Sequence, residues 1–327
     1  MARRLVAAPA VVRGVASRVP VAGTPAAAPR PLDTLELLSW NIGYAGLGRE
    51  SDFFVDGGRE LRPSSRALVE KNAQAIAERL AQGAHDVVLL QEVARDGWLT
   101  RGVDVLDCVR DALPGYQLAF CPTIDLSHVP LVGKFAIGTA TLARCGIANA
   151  FSRPLPSPRL LPGVVSQRFT VLETALCEAD EHDTWVVFNV HLSAFDDGVL
   201  RRQQLVDVWQ CLRDEFDRGS RVVAAGDWNF RLAATSFPYS TEEKNTFWVR
   251  DLPADLTPPG WRWAIDPATP TNRTVEQPYR ADVNFTSVID GFVLSPNVDV
   301  VAVETIDLGF ENSDHNPVRL SIRKRDA

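Results

Sequence analysis

Cysteine is scarce and poorly placed for covalent or metal work. The five cysteines, Cys108, Cys121, Cys145, Cys177 and Cys211, are odd in number, far apart and without a C-x-x-C pair. That pattern disfavours both a disulfide framework and a zinc site, and a reducing, cytoplasmic setting is the expectation. The chain has no run of about 18 apolar residues, so no helical membrane span is expected. Positive charge is also short. The chain carries −7 overall, and the five arginines of residues 1–30, with no acid among them, leave the remainder at −12. A nonspecific nucleic-acid binder needs a basic footprint, so nucleic acid is a possible partner but not a favoured one. There is no internal repeat, and nothing in the composition implies an obligate protein partner.

What is present is a large apolar content, 46% of 327 residues, enough for a sizeable core. Residues 1–32, rich in Ala, Pro and Val, are expected to be a disordered tail. The rival is a secretory signal leading to export, but Pro9 and Arg13 interrupt its apolar stretch. Residues 33–327 then form a single domain, because the candidate site residues run from Asn41 to His315. One helix is expected after Pro63-Ser64-Ser65, with Val69, Ala73, Ile76 and Leu80 on one face. A second is expected from about Val199 to Phe216. Strands are expected at 87–90, 135–142, 169–177, 185–192 and 222–225, with an acidic turn at 178–183. Residues 235–285, with many prolines and Trp248, Trp261 and Trp263, read as a long ordered loop region. Its tryptophans could wall a pocket or fill a core beneath the loop.

Six segments place an acid, an amide or an imidazole directly after an apolar run. They are Leu38-Ser39-Trp40-Asn41, Leu89-Leu90-Gln91-Glu92, Phe188-Asn189-Val190-His191, Ala225-Gly226-Asp227-Trp228-Asn229, Val288-Ile289-Asp290 and Ser313-Asp314-His315. Each polar residue therefore sits where a buried strand emerges from the core, which is where sites are built. Glu92 stays ionised behind Leu89-Leu90 only if a cation or a donor holds it. With Asn41, Asp314 and Asp227 it offers oxygen ligands alone, which suit Mg²⁺, or Mn²⁺ as a substitute. Asp227 and Asn229, two apart, would share a face in an extended chain, one orienting a water and the other donating to a phosphate oxygen. Alternatively, they form an Asx turn. Asp290 is suited to fix the tautomer of His315, and His191 to meet a phosphoryl oxygen.

In order and in complementary roles, these segments resemble the signature set of the endonuclease/exonuclease/phosphatase superfamily, the DNase I-like metal-dependent phosphoesterases. Asn41, Gln91-Glu92-Val93, His191-Leu192, Gly226-Asp227-Trp228-Asn229 and Ser313-Asp314-His315 carry the likeness, which runs from about Leu35 to Ile322. The resemblance implies an α/β fold, a four-layer sandwich of two mixed β-sheets face to face with helices outside. It implies that Asn41 and Glu92 hold Mg²⁺ with Asp314 near it, and that Asp227 with Asn229 binds and orients nucleophile and phosphate. It implies further that His191 contacts the scissile phosphate and that His315, paired with Asp290, acts as base or as transition-state stabiliser. Gly43 to Leu47, Asp56-Gly57-Gly58 and His191 to Asp196 resemble a bacterial subgroup of that superfamily.

Lys134 and Arg273 are candidate phosphate contacts, or solvated loop charges. The expected activity is Mg²⁺-dependent hydrolysis of a phosphodiester by an activated water. A small or lipid-derived substrate stands ahead of DNA or RNA because the body is acidic. An inositol-phosphate type of phosphomonoesterase is a further alternative. A noncatalytic binding module on the same fold would be expected to have lost Glu92, Asp227 or His315, and all three are present.

Overall fold

The computed structural model describes residues 15–26, 30–125, 136–158, 168–178, 184–194, 196 and 198–325. Two seven-stranded sheets lie face to face. The first runs in the order β1 (Ser17–Arg18), β7 (Ile147–Pro154), β8 (Thr170–Leu176), β9 (Trp185–His191), β10 (Arg221–Asp227), β14 (Asp290–Leu294), β11 (Arg262–Ala264). The second runs β15 (Val298–Thr305), β16 (Val318–Lys324), β3 (Thr34–Asn41), β4 (Val87–Ala94), β6 (Ala136–Ala143), β5 (Gln117–Asp125), β2 (Val21–Ala22). A two-residue pair, β12 (Asn272–Arg273) with β13 (Thr286–Ser287), stands apart. Helices α1 (Arg66–Gln82) and α2 (Val105–Ala112) cover the outer face of the second sheet, and α3 (Val199–Asp217) that of the first. The result is the expected four-layer α/β sandwich.

The inter-sheet core follows from strand alternation. Leu35 and Leu37 of β3, Val87 and Leu89 of β4, Val187 of β9, Val223 and Ala225 of β10, and Phe292 and Leu294 of β14 all face it. The opposite faces of the same strands meet the helices through Leu38 and Trp40, Val88 and Leu90, or Val186, Phe188 and Val190. Helix α1 starts where the Ser-rich turn allows, with the Ser65 hydroxyl accepting from Leu68 N. It buries Val69, Ala73, Ile76 and Leu80. Helix α2, whose Asp104 caps Asp107 N, was too short to stand out by periodicity alone.

Some expectations need correction. Within the segment read as a disordered tail, β1 pairs with β7 and β2 with β5, and Val19 and Leu32 are buried. Isolated dipeptides of strand have no period to read, so only the partner strands reveal them. The expected acidic turn lies partly, at 179–183, outside the described residues, as does Lys134. The tryptophans of 235–285 divide between the two readings. Trp261 and Trp263 pack edge-on against Trp209, and Trp263 also against Trp228, as core, whereas Trp248 lines a cavity.

Candidate active site

The only parallel pairs among the named strands are β3 with β4 and β9 with β10, one at the centre of each sheet. Their carboxyl ends lie at one edge of the sandwich. On each strand the inward-facing series ends in a polar residue: Asn41 after Leu37 and Ser39, Gln91 after Leu89, His191 after Val187 and Asn189, Asp227 after Ala225. Strand β14 runs antiparallel to β10 and begins at this same edge, with Asp290 opposite Asp227. The site is therefore the place where the inter-sheet core runs out toward solvent. Just beneath it the two sheets are joined by polar contacts, Gln91 Nε2 donating to Asn189 Oδ1 at 2.8 Å and Asn189 Nδ2 to the carbonyls of Leu90 and Ala140.

Glu92 should point the other way, since it is one residue past Gln91. A bulge between Leu90 and Val93, with Glu92 at φ +52°, turns it back toward the site. Gly226 meets a different constraint. A Cβ there would sit 1.8 Å from the Val190 carbonyl oxygen, so only glycine lets β10 lie against β9 one residue before Asp227.

Asn41 Nδ2 spans two carboxylates, Glu92 Oε1 at 3.2 Å and Asp227 Oδ2 at 3.0 Å, while its Oδ1 accepts from Gly43 N. His191 Nε2 lies 3.6 Å from Asp227 Oδ2 and 3.8 Å from Glu92 Oε1. His315 is fixed on both sides: Nδ1 is 2.8 Å from Asp290 Oδ2, and Nε2 is 3.0 Å from the Asn272 amide and 3.7 Å from Asp227 Oδ2. The Ser313–His315 turn is tied to β3, with Ser313 Oγ donating to the Asn41 carbonyl and Trp40 Nε1 to that of His315. Glu92, His191, Asp227, Asn229, Asp314 and His315 all line one cavity of ≈ 120 Å³. A larger open depression elsewhere, beside Val19 and Val21, has no acid or imidazole in its lining.

The electrostatics divide the two histidines. Burial pulls His191 below its ordinary value, so it is neutral near pH 7. Burial opposes charge on His315 too, but Asp290, Asp227 and Asp314 outweigh it and push it up to about 10. An imidazolium donates from both nitrogens, and the buried Asn272 Oδ1 has no partner, so the charge state is satisfied when Asn272 presents its oxygen to Nε2. Burial raises Glu92, and raises Asp290 and Asp314 to about 6. Among the described residues no Lys or Arg nitrogen is within 4.0 Å of a carboxylate oxygen of Glu92 or Asp314. The His315 imidazolium and, for Asp314, the Arg273 charge lower the two carboxylates only in part, since both still sit above their ordinary values, and two crowded, cavity-lining carboxylates with oxygen-donor neighbours suit a hard divalent cation. Among the described residues, Asp227, Asp290 and His315 bring ligand-type atoms within 4.8 Å of one another. There, however, the imidazolium already balances the charge.

Two expected roles change. Asn229 is not extended but left-handed, φ +53°, with its N–H on Asp227 Oδ1 and its Nδ2 on the Leu192 carbonyl. The Asx-turn alternative is therefore the observed one, although Asn229 still reaches the cavity. Arg273, 1% exposed, spends Nη1 on the Thr274 carbonyl and Nη2 on those of Leu47 and Gly48. Those bonds make it a buried brace whose charge acts through space on Asp314, and it remains among the cavity-lining residues with Nε unpartnered.

Sequence reasoning missed Tyr44, Asn272 and Arg201. Tyr44 lines the cavity with a buried hydroxyl that has no partner. Arg201, 0% exposed on α3, binds the carbonyls of Ala194, Asn229 and Trp248, three residues of the cavity wall, and is balanced by Asp196 at 3.2 Å. An arginine in the first turn of a helix carries no sequence signal for such a task. Ala194 and Asp196 are near Arg201 in sequence, but Asn229 and Trp248 are 28 and 47 residues away, and only the fold brings them to it.

No family model matches the chain, and no curated protein matches it. Solved structures do. An endonuclease/exonuclease/phosphatase from Beutenbergia cavernae is 21% identical with a TM-score of 0.61, covering 90% of this chain and 72% of that one. The catalytic domain of human Nocturnin, with bound sulfate anion, is 17% identical with a TM-score of 0.54, covering 90% and 94%. D. rerio TDP2 complexed with single strand DNA product is 15% identical with a TM-score of 0.51, covering 89% and 99%. The chain has the DNase I-like endonuclease/exonuclease/phosphatase fold.

Proposed function

We propose that this protein is a Mg²⁺-dependent phosphoesterase that hydrolyses a phosphodiester through an activated water. The observation that carries the reading is the convergence of Glu92, Asp314, Asn41, Asp227, His191 and the Asp290–His315 pair at one sandwich edge. Glu92 and Asp314 would hold the cation, with Asn41 completing the set. Bound there, Mg²⁺ would offset negative charge on the phosphoryl oxygens.

The rest of the chemistry belongs to the side chains. Asp227, held by Asn41 and by the Asn229 N–H, would orient the attacking water and take up its proton as the water oxygen bonds to phosphorus. His191, neutral, would donate to a non-bridging oxygen. His315 enters as an imidazolium and would stabilise the charge that grows as the phosphorus–oxygen bond to the departing alcohol breaks. Of the two roles open for His315, its charge supports stabiliser rather than base.

The narrow cavity and the body charge of −12 support a compact phosphodiester over duplex DNA. The DNA bound by the TDP2 structure keeps a nuclease as the competing reading. The deciding measurement is turnover of bis-p-nitrophenyl phosphate against plasmid and single-stranded DNA, with Mg²⁺ or EDTA, at about 50 and 200 mM salt. EDTA-sensitive turnover of the small diester that exceeds DNA cleavage supports the reading. Salt-tolerant DNA cutting that outpaces it makes the protein a nuclease. Metal binding without turnover on any phosphoester makes it a noncatalytic module.

A further inference from the structure

Arg201 lies where a cation is poorly accommodated. Its side chain is fully buried, and it sits in the first turn of α3, at the positive end of the helix dipole. Burial pulls the guanidinium below its ordinary value, with only the charges of Asp196 and Asp227 and the Asp196 hydrogen bond acting against that. Its Nε is buried without a partner, which adds to the cost. A buried charge so placed is tolerated only where its remaining hydrogen bonds are strong and well aimed.

Those bonds converge on one half of the site. Nη1 donates to the carbonyls of Asn229 and Trp248, and Nη2 to the carbonyl of Ala194 and to Asp196 Oδ1. Ala194 lies just past His191 at the end of β9, and Asn229 just past Asp227 at the end of β10. On the cavity side these two strand ends are already joined. Leu192 N donates to the Asp227 carbonyl at 3.1 Å, Asn229 Nδ2 to the Leu192 carbonyl at 2.9 Å, and Asn229 N to Asp227 Oδ1 at 2.9 Å. Arg201 closes the same junction from α3 and ties the Trp248 wall to it. Gln204, also fully buried on α3, adds a bond from Ser193 N at 2.8 Å. The groups suited to the cation stand apart from this junction: Asn41 and Glu92 come from β3 and β4 of the other sheet, and Asp314 from a turn tied to β3.

We propose that Arg201 is a positioning residue, whose guanidinium locks the ends of β9 and β10 together and so fixes His191 relative to Asp227 for the chemical step. The assignment rests on the phosphoesterase reading. It separates two parts of the site: turnover depends on Arg201, whereas cation binding, built on the facing sheet, does not. The fork of the guanidinium is what the task requires, because two nitrogens must serve three backbone carbonyls and a carboxylate at once. A lysine keeps the charge but presents a single nitrogen on a flexible stem, so the junction loosens. A misplacement of about 1 Å between reacting groups is enough to cost about 10²-fold in rate.

The test compares whole wild-type protein with Arg201→Lys. With bis-p-nitrophenyl phosphate and Mg²⁺, the variant should lose at least about tenfold in kcat, while KM and the calorimetric Mg²⁺ Kd stay within about twofold. A residue that only stabilised the domain would lower the melting temperature without that split. Amide hydrogen exchange reads the junction without turnover. In the wild type the Leu192 and Asn229 amides should exchange only through global unfolding, and in Arg201→Lys at least about tenfold faster relative to the amides of β3 and β4. Taking the ratio cancels any general loss of stability, and the wild-type measurement alone decides if the variant fails to fold. Local opening at Leu192 and Asn229 in the wild type would overturn the assignment. So would a folded Arg201→Lys with unchanged kcat, with an unchanged exchange ratio, or with Mg²⁺ affinity falling in step with kcat. Failure of the phosphoesterase reading would appear separately, as lack of wild-type turnover while the exchange difference persists.

Discussion

Replacing Asp314 with asparagine separates the cost of crowding carboxylates from the benefit of the cation they would hold. Asp314 is 9% exposed, and its side chain has one weak contact, Ser313 Oγ at 3.4 Å, which an amide oxygen can also accept. Burial, with Glu92 adding repulsion, raises it from 3.8 to about 6. A carboxylate whose folded pKa lies above its unfolded one destabilises the fold as it ionises. Stability in EDTA should therefore fall as pH rises through the interval from about 4 to about 6. The full shift corresponds to about 3 kcal/mol, an upper figure because relaxation and neighbouring protons absorb part of it. Asp314→Asn removes that cost, so at pH 8 in EDTA the variant should be more stable than wild type by about 1–3 kcal/mol, a rise of a few degrees in melting temperature. At pH 4.5 the difference should shrink toward zero. Saturating Mg²⁺ should reverse the order, because binding at about a hundred times Kd adds about 2.7 kcal/mol to wild type and little to the variant. Thermal melts at the two pH values, with EDTA or Mg²⁺, read all four states. A variant that is less stable in EDTA at pH 8, or equal Mg²⁺ stabilisation of both proteins, would refute the placement of the cation.

Four further outcomes follow from the same geometry. Glu92→Gln keeps the side-chain shape but should lower Mg²⁺ affinity by about tenfold or more and abolish turnover; calorimetric titration showing unchanged affinity would remove Glu92 from the metal set. Asp290→Asn should lower turnover by about 10²–10⁴-fold, and it should flatten the pH dependence of stability above neutrality. The sign follows from His315, raised from 6.5 to about 10: its contribution is complete below about 6.5 and is lost as pH rises through about 10, so unfolding free energies between pH 7 and 10.5 should fall in wild type and hardly change in the variant. Gly226→Ala should cost at least about 3 kcal/mol by forcing β9 and β10 apart, and an unchanged denaturation midpoint would contradict the close approach of Val190. Removing residues 1–30 should lower the melting temperature by several degrees, since the buried Val19 alone is worth about 1.5–3 kcal/mol, whereas an unchanged melt would mean that β1 and β2 contribute nothing.

The sequence by itself determined which strands exist near the site and which polar residues end them. An apolar run that stops at Asn41, Glu92, His191 or Asp227 is a local pattern, and burial at period 2 carries each such residue to a strand end regardless of what lies opposite. Helices α1 and α3 were legible for the same reason, as periodic stripes with a cap or a stop. Only the tertiary structure decided which strand ends meet. Asn41 and Asp227 are 3.0 Å apart because β3–β4 and β9–β10 lie at the centres of facing sheets, a pairing that no local pattern encodes. It also decided the departures from ideal geometry: the bulge that turns Glu92 inward, the left-handed Asn229, and the buried positions of Arg201 and Arg273. The physical reason is range. Strand periodicity is set by neighbours two residues away, whereas the charge of His315 and the burial of the Arg273 guanidinium depend on groups tens to hundreds of residues distant, and those become neighbours only when the two sheets close on each other.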